Sequence, residues 1–321
     1  MGLARRCLAQ INAMSKRTAQ SHGRPLRSAL RLMMIRFFLR ACTSLPLPLS
    51  HAIGTGLGRL AWLTRSPLRR TAEANIARCL PELNPAEQQQ LVKDSLVQTG
   101  QTLTELGRVW RAKRRQIEAL VQGVEGQHYL DQALATGRGV ILLAPHSGAW
   151  ELGGLFMSLS TPMTTLYRPP REPAFERLMT QARARFGSKL VPANRFGVKA
   201  LLLALRRGEL ITILPDQEPN VGEGAFAPFF GHPAYTLTLV HNLMLKTGAV
   251  AVLGRTERLA HGAGYRLHFY PAPAELANPD PAIALAALNA GVEHLVRLAP
   301  AQYQWGYRRF RRQPAPVPPQ A

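Results

Sequence analysis

The sequence predicts an α/β fold: a mostly parallel sheet flanked by helices, with a helical segment ahead of it. Three observations support this. From about residue 138, short β-rich runs alternate with stretches of helical spacing, the order that builds a parallel sheet. The helical stretches in that part close on glycine, as helices returning to a strand commonly do. Ahead of it, two long helical stretches open at a capping residue followed by proline.

Taken in chain order, residues 1–25 read as a basic lead-in with no need to fold. Residues 26–66 read as a membrane-associating segment. The stretch SALRLMMIRFFLRACTSL is broken by Arg31, Arg36 and Arg40, so it is neither a secretory signal nor a span of the ~20 apolar residues a bilayer crossing requires. The longest run here without formal charge, Ala41–Gly58, contains Pro46, Pro48 and His51. On a helical wheel Arg27 and Arg31 fall roughly opposite Arg36 and Arg40, which spoils a simple amphipathic helix. The segment therefore reads as an interfacial anchor whose arginines snorkel to lipid headgroups. A buried helix pair behind a basic tail is the competing reading.

Residues 67–313 read as the main domain, helical over 67–122 and α/β over 123–313. SPLRRTAEANIARCL starts at Ser-Pro, and NPAEQQQLVKDSLVQTGQTLTEL at Asn-Pro. The expected strands are GVILLA (139–144), MTTLY (163–167), KLVPA (189–193), LITILP (210–215), AVAVLG (249–254) and YRLHFYP (265–271). Between them EPAFERLMTQARARFG, FGVKALLLALRRG and TLTLVHNLMLKTG carry helical spacing. Residues 314–321 form a proline-rich tail.

Forty Lys/Arg against nineteen Asp/Glu give a formal charge of +21. No acid precedes Glu73, and Arg308, Arg309, Arg311 and Arg312 cluster near the end. Such a balance calls for an anionic partner: a membrane face, an acidic protein or substrate, or nucleic acid. Nucleic acid fails on detail, because the chain has no zinc-finger spacing, no aromatic RNA-binding strand and few aromatics among its basic clusters. Cys7, Cys42 and Cys79 have neither metal-site nor disulfide-framework spacing, which fits a reducing compartment.

Active groups of parallel sheets gather just past the carboxyl ends of strands. His146 lies there after GVILLA, Arg168 after MTTLY and Asp216 after LITILP. Within APHSGAWE, Glu151 follows His146 by five residues, too far round a helix for the two side chains to meet. They could meet only if Ser147, Gly148 and Ala149 make a tight turn into a helix, with Glu151 pointing back at the imidazole. A carboxylate on one ring nitrogen fixes the tautomer and raises the basicity of the other, giving a general base for a hydroxyl. A capping histidine with an incidental glutamate is the alternative. G-x-S-x-G and H-E-x-x-H are both absent, so neither a covalent serine mechanism nor a zinc site is expected.

LLAPHSGAWE resembles the H-x4-D/E block of glycerolipid-type acyltransferases, and of the bacterial lipid A biosynthesis acyltransferases (lauroyl and myristoyl acyltransferases) in particular. RRTAEANIARCLPELNPAEQQQLVKDSL is similar to that family's N-terminal helical stretch. LYRPPREP and LPDQEP resemble its second and third blocks, GAFAPFFGHPAYT the loop after them, and APAQYQWGYRRFRRQP its closing signature. Together these span roughly residues 40–313 in the family's order.

The resemblance implies a glycerolipid-acyltransferase-like fold. It also implies transfer of a fatty acyl chain from an acyl carrier protein thioester to a hydroxyl of a lipid A precursor. The expected setting is the cytoplasmic face of the bacterial inner membrane, with no metal or cofactor. His146 becomes the base and Glu151 its orienting acid. Arg168 holds anionic groups or the developing oxyanion, Asp216 and Gln217 orient the acceptor, and Arg185 contacts phosphate. The sequence departs from the family at Ala149, where Asn is common, and at Gly306-Tyr307, where an apolar residue and His are usual. These departures leave a different glycolipid or a carrier-bound product as the alternative acceptor.

Overall fold

The computed structural model describes residues 23–170 and 172–314. Residues 1–22 of the expected lead-in and 315–321 of the tail lie outside them. Nine strands form: β1 Val121–Glu125, β2 Val140–Leu143, β3 Met163–Tyr167, β4 Lys189–Pro192, β5 Leu210–Ile213, β6 Gly224–Phe229, β7 His232–Leu237, β8 Val250–Arg258 and β9 Tyr265–Pro271. Seven make one sheet in the order β1-β9-β8-β2-β5-β3-β4. Strands β8, β2, β5, β3 and β4 run parallel; β9 returns antiparallel to β8, and β1 lies parallel to β9.

All six stretches expected to be strands are strands. The runs of β2 and β5 are buried throughout because helices cover both faces of the sheet. Ile141, Leu143, Ile211, Ile213 and Leu253 pack with helices Arg195–Arg206, Leu239–Thr247 and Pro281–Leu298. The alternate residues Val140, Leu142, Leu210, Val252 and Phe269 pack with helix Gln127–Ala135 and with Met157. The strand alternation, period two, thus fills two separate cores from one run of sequence.

Two elements differ from the sequence reading. GAFAPFFGHPAYT, read as a loop, is the β6–β7 hairpin, with Pro228 opposite Pro233 and a turn at Phe230-Gly231 where both φ are positive. Proline at two strand positions masks the pattern, which a separate two-stranded ribbon tolerates because its outer edges need no ladder partner. β1 is short, carries Gly123 and sits at the sheet edge, so it has little periodicity to read.

Ahead of the sheet, helices Gly23–Ser44, Leu47–Leu63, Pro67–Cys79 and Pro85–Val109 follow one another. Asn84 caps the longest reciprocally with Glu87. The second and fourth helices touch backbone to backbone. A side chain at Gly100 would put its Cβ 2.1 Å from the Gly54 carbonyl oxygen, and one at Gly54 would meet Gln101 Cα at 2.6 Å. Helix Leu47–Leu63 buries Leu47, Ser50, His51, Gly54 and Gly58 in this contact, while Leu49, Ile53, Leu57 and Leu60 remain exposed along another face. Among the described residues, no helix is long and apolar enough to cross a membrane.

Candidate active site

Register sets the site. β2 and β5 are parallel neighbours with Leu143 opposite Ile213, and His146 and Asp216 each lie three residues past those ends. The two loops therefore leave the sheet level with each other. His146 Nδ1 sits 2.8 Å from Asp216 Oδ1, and its backbone N–H donates to Oδ2 at 3.0 Å. With Nδ1–H donating to the carboxylate, the unprotonated nitrogen is Nε2. Asp216 is buried, which would raise its pKa, but the charge and hydrogen bonds of His146 outweigh this and hold its carboxyl below the ordinary value. The Trp150 ring meets the imidazole edge-on at 5.3 Å.

The turn carrying His146 is built as its small residues require. Gly148 has φ +57°, and any Cβ there would lie 2.0 Å from the Thr256 carbonyl oxygen. Its N–H donates to the Gln302 carbonyl, that of Ala149 to Thr256, and that of Gln304 to the His146 carbonyl. Beneath the turn, buried Arg258 pairs with buried Glu105 at 2.6 Å and donates to the Gly148 carbonyl at 3.2 Å. Glu105 also accepts from the Tyr265 hydroxyl at 2.8 Å and lies 3.3 Å from His51 Nε2. Side chains from two N-terminal helices, through Glu105, thereby reach the loop that holds the imidazole.

Three expected placements are corrected. Glu151 does not point back at His146. Near the start of helix Trp150–Met157, where a carboxylate suits the helix dipole, it is clamped by Arg183, with Nε at 2.9 Å, and by Trp110 Nε1 at 3.1 Å. Burial raises its pKa, but Arg183 more than offsets that, so the carboxyl sits below its ordinary value. The acid on the imidazole is Asp216, expected to face an acceptor instead. Arg185 is turned away from the site, donating to the Val109 carbonyl at 2.7 Å and lying over Phe186. Arg183 takes its place in the cavity wall, and a helical signal could have found it: Met179, four residues earlier, lines the same wall.

A cavity of about 370 Å³ opens beside His146. Its wall is mainly apolar, including Leu142, Met157, Met163, Leu190, Leu267 and Phe269, while His146, Glu151, Arg168, Arg183 and Gln217 are among its polar members, with Glu218, Glu223 and Arg255. Arg168 donates to Asn220, and Gln217 lies 3.4 Å from Gln304. Of the expected site residues, His146, Glu151, Arg168 and Gln217 line this cavity, Asp216 stands behind His146, and Arg185 is outside it. Among the described residues no group of three or more His, Cys, Asp or Glu could hold a metal. An imidazole with one unprotonated nitrogen, lining an apolar pocket, is placed to take a proton from a group bound there.

The family model for bacterial lipid A biosynthesis acyltransferases matches residues 19–312. The chain belongs to that family. It is 30% identical to the lipid A biosynthesis lauroyltransferase of Escherichia coli K12 over 275 residues, 85% of this chain and 89% of that protein. It is 30% identical to the palmitoleoyltransferase of the same organism, over 84% of this chain and 87% of the relative. The myristoyltransferase is 26% identical, over 78% and 77%. The chain is thus an acyltransferase of lipid A biosynthesis type.

In this acyltransferase the unusual Ala149 is almost wholly buried, packed with Leu152 and Leu155. The unusual Tyr307 accepts the Glu218 N–H on its hydroxyl at 2.9 Å, bracing the loop after Asp216. The closing arginines divide. Arg309 is buried on the Tyr235 carbonyl and the Thr236 hydroxyl, Arg311 and Arg312 hold Glu218, and Arg308 is exposed.

Proposed function

We propose that this acyltransferase moves a fatty acyl chain from an acyl carrier protein thioester to a hydroxyl of a Kdo-lipid A-type precursor. The setting is the cytoplasmic face of the bacterial inner membrane. The observation that carries the reading is the His146–Asp216 pair at the mouth of the apolar cavity. His146 Nε2 takes the proton of the acceptor hydroxyl, and the oxygen attacks the thioester carbonyl carbon. The C–S bond breaks, and the leaving thiolate recovers the proton from the imidazolium. Asp216, ionised and buried, holds the tautomer and stabilises that imidazolium; the pair contributes ~10²–10⁴ in rate. No acyl-enzyme forms.

Glu151 keeps Arg183 in the wall, where with Arg168 it faces anionic substrate groups; a guanidinium suits phosphate bidentately. Gln217 orients the acceptor. The cavity receives the acyl chain. The exposed stripe Leu49, Ile53, Leu57 and Leu60 rests on the lipid surface, with the chain's positive charge drawn to the anionic leaflet and to the acidic carrier protein.

Mass spectrometry of lipid A tests this in a strain lacking its own lauroyl-type acyltransferase and complemented with the wild-type or the His146→Ala gene. The wild type should add one fatty-acyl mass and His146→Ala none, at equal protein level. Addition by both would remove His146 from the chemistry. Addition by neither, with transfer to another glycolipid, would move the acceptor.

A further inference from the structure

A second concavity, of about 460 Å³, lies between helix Pro67–Cys79 and the C-terminal stretch, away from the His146 cavity. It is lined by Arg70, Thr71, Asn75, Arg78, Arg308 and Arg311, with no carboxylate in its wall among the described residues. The sequence explains its shape. Arg70, Ala74 and Arg78 repeat every four residues, so they share a helix face. The small Ala74 leaves a notch between two guanidiniums whose Cα atoms are roughly 12 Å apart along the axis. Arg308 closes the notch from the facing segment.

These arginines differ from their neighbours. Arg69 pairs with Glu73, Arg297 with Glu82 and Arg311 with Glu218, whereas Arg70, Arg78 and Arg308 pair with no carboxylate among the described residues. Arg78 lies over Phe310, its guanidinium carbon 4.9 Å from the ring centre, so one face is held by an aromatic while its N–H groups stay free. Three such charges gathered in one hollow repel one another until an anion neutralises them.

We infer that this concavity is a second anion subsite, built for a phosphate group of an anionic lipid headgroup. A lipid is favoured because Pro67, Ala74 and Phe310 give the hollow an apolar part beside its guanidiniums. Exposed Leu63 and Leu68 flank the helix start, and Leu68 packs on Gly306, two residues from Arg308. A hollow of basic side chains with Phe310 in its wall and exposed leucines on the adjoining helix start matches a charged headgroup entering beside its own hydrocarbon. The concavity is also tied to the reacting end of the molecule. Asn75 Nδ2 donates to the Trp305 and Tyr307 carbonyls at 2.7 Å, and the Gln304 N–H donates to the His146 carbonyl. A phosphate held at Arg308 is thus anchored four residues from the segment that braces the base. That this lipid is the acyl acceptor rests on the reading above; the phosphate chemistry does not.

The test uses the full chain, the triple variant Arg70→Gln/Arg78→Gln/Arg308→Gln, and Arg138→Gln as an exposed control elsewhere. Calorimetric titration with inorganic pyrophosphate should show binding to wild type and control, and at least about tenfold weaker binding to the triple variant. Equal binding by all three overturns the subsite. With phosphorylated lipid A precursor and acyl carrier protein thioester, the triple variant should raise KM for the acceptor about tenfold and leave KM for the donor unchanged. A rise for the donor alone would make the concavity a dock for the acidic carrier and overturn the lipid assignment. Pyrophosphate binding lost in the variant without any acceptor effect would assign the hollow to free phosphate, also against it. If wild type transfers nothing to the precursor, the acyl-transfer reading fails while the titration still decides the phosphate site.

Discussion

Beside the His146 turn, arginine is paired: half-buried Arg183 with Glu151, buried Arg258 with Glu105. In the concavity formed by helix Pro67–Cys79, Arg70, Arg78 and Arg308 are exposed and meet no acid among the described residues. The same side chain thus serves two purposes in one +21 molecule. Where a carboxylate accompanies it in the interior, its fork is used up in hydrogen bonds and the result is fixed geometry. Where none does, the charge remains available to a ligand. The net charge says an anion is wanted somewhere; only the pairing says where.

The paired side should be the more costly to disturb. Arg258→Met leaves Glu105 buried beside Tyr265 with its main cation gone, and should cost ~3–5 kcal/mol in urea unfolding. A loss below about 1 kcal/mol would mean that this pair does not hold the turn.

Acid should act on the same set. Glu105, Glu151 and Asp216 are each driven upward by burial, yet held below their ordinary values, by Arg258, Arg183 and His146 respectively. A carboxyl lowered on folding stabilises the fold above its unfolded value, about 4, and loses that contribution as pH falls through the folded value. Stability should therefore decline as the pH drops below about 4. In Glu105→Gln the decline should be shallower, from a lower starting stability. An unchanged slope would show that Glu105 is not ionised in the fold.

The smallest effect is expected inside the cavity. A Cβ built at Gly154 meets nothing within 4 Å, and the residue lines the apolar wall. Gly154→Leu should keep the fold, since leucine is the better helix former, and shift donor preference toward shorter chains by a few fold. An unchanged chain-length profile would place the acyl chain elsewhere.

How much of this was legible follows the length scale of each signal. The six strands were readable as short β-rich runs set between stretches of helical spacing, and His146, Arg168 and Asp216 were readable as strand-end residues. Chain order alone hid the pairing. Glu151 is near in sequence but its side chain is drawn to Arg183, whereas Asp216 is 70 residues away and arrives through the β2–β5 register. Adjacency of those two strands is a tertiary fact, and no local spacing encodes it. The hairpin was hidden by Pro228 and Pro233, and the Glu105–Arg258 pair by a separation of 153 residues.

The central claim is that Asp216 keeps the His146 proton on Nδ1 and leaves Nε2 free as the base. Asp216→Asn tests it most directly, because the amide keeps the shape but can donate to Nδ1, which would move the proton to Nε2. In purified enzyme, acyl transfer followed by mass spectrometry should show kcat reduced ~10²–10⁴-fold, with KM for both substrates little changed and a cooperative melt retained at a somewhat lower temperature. A variant with kcat within about threefold of wild type would contradict the account, since the pair would then be structural and the base would lie elsewhere.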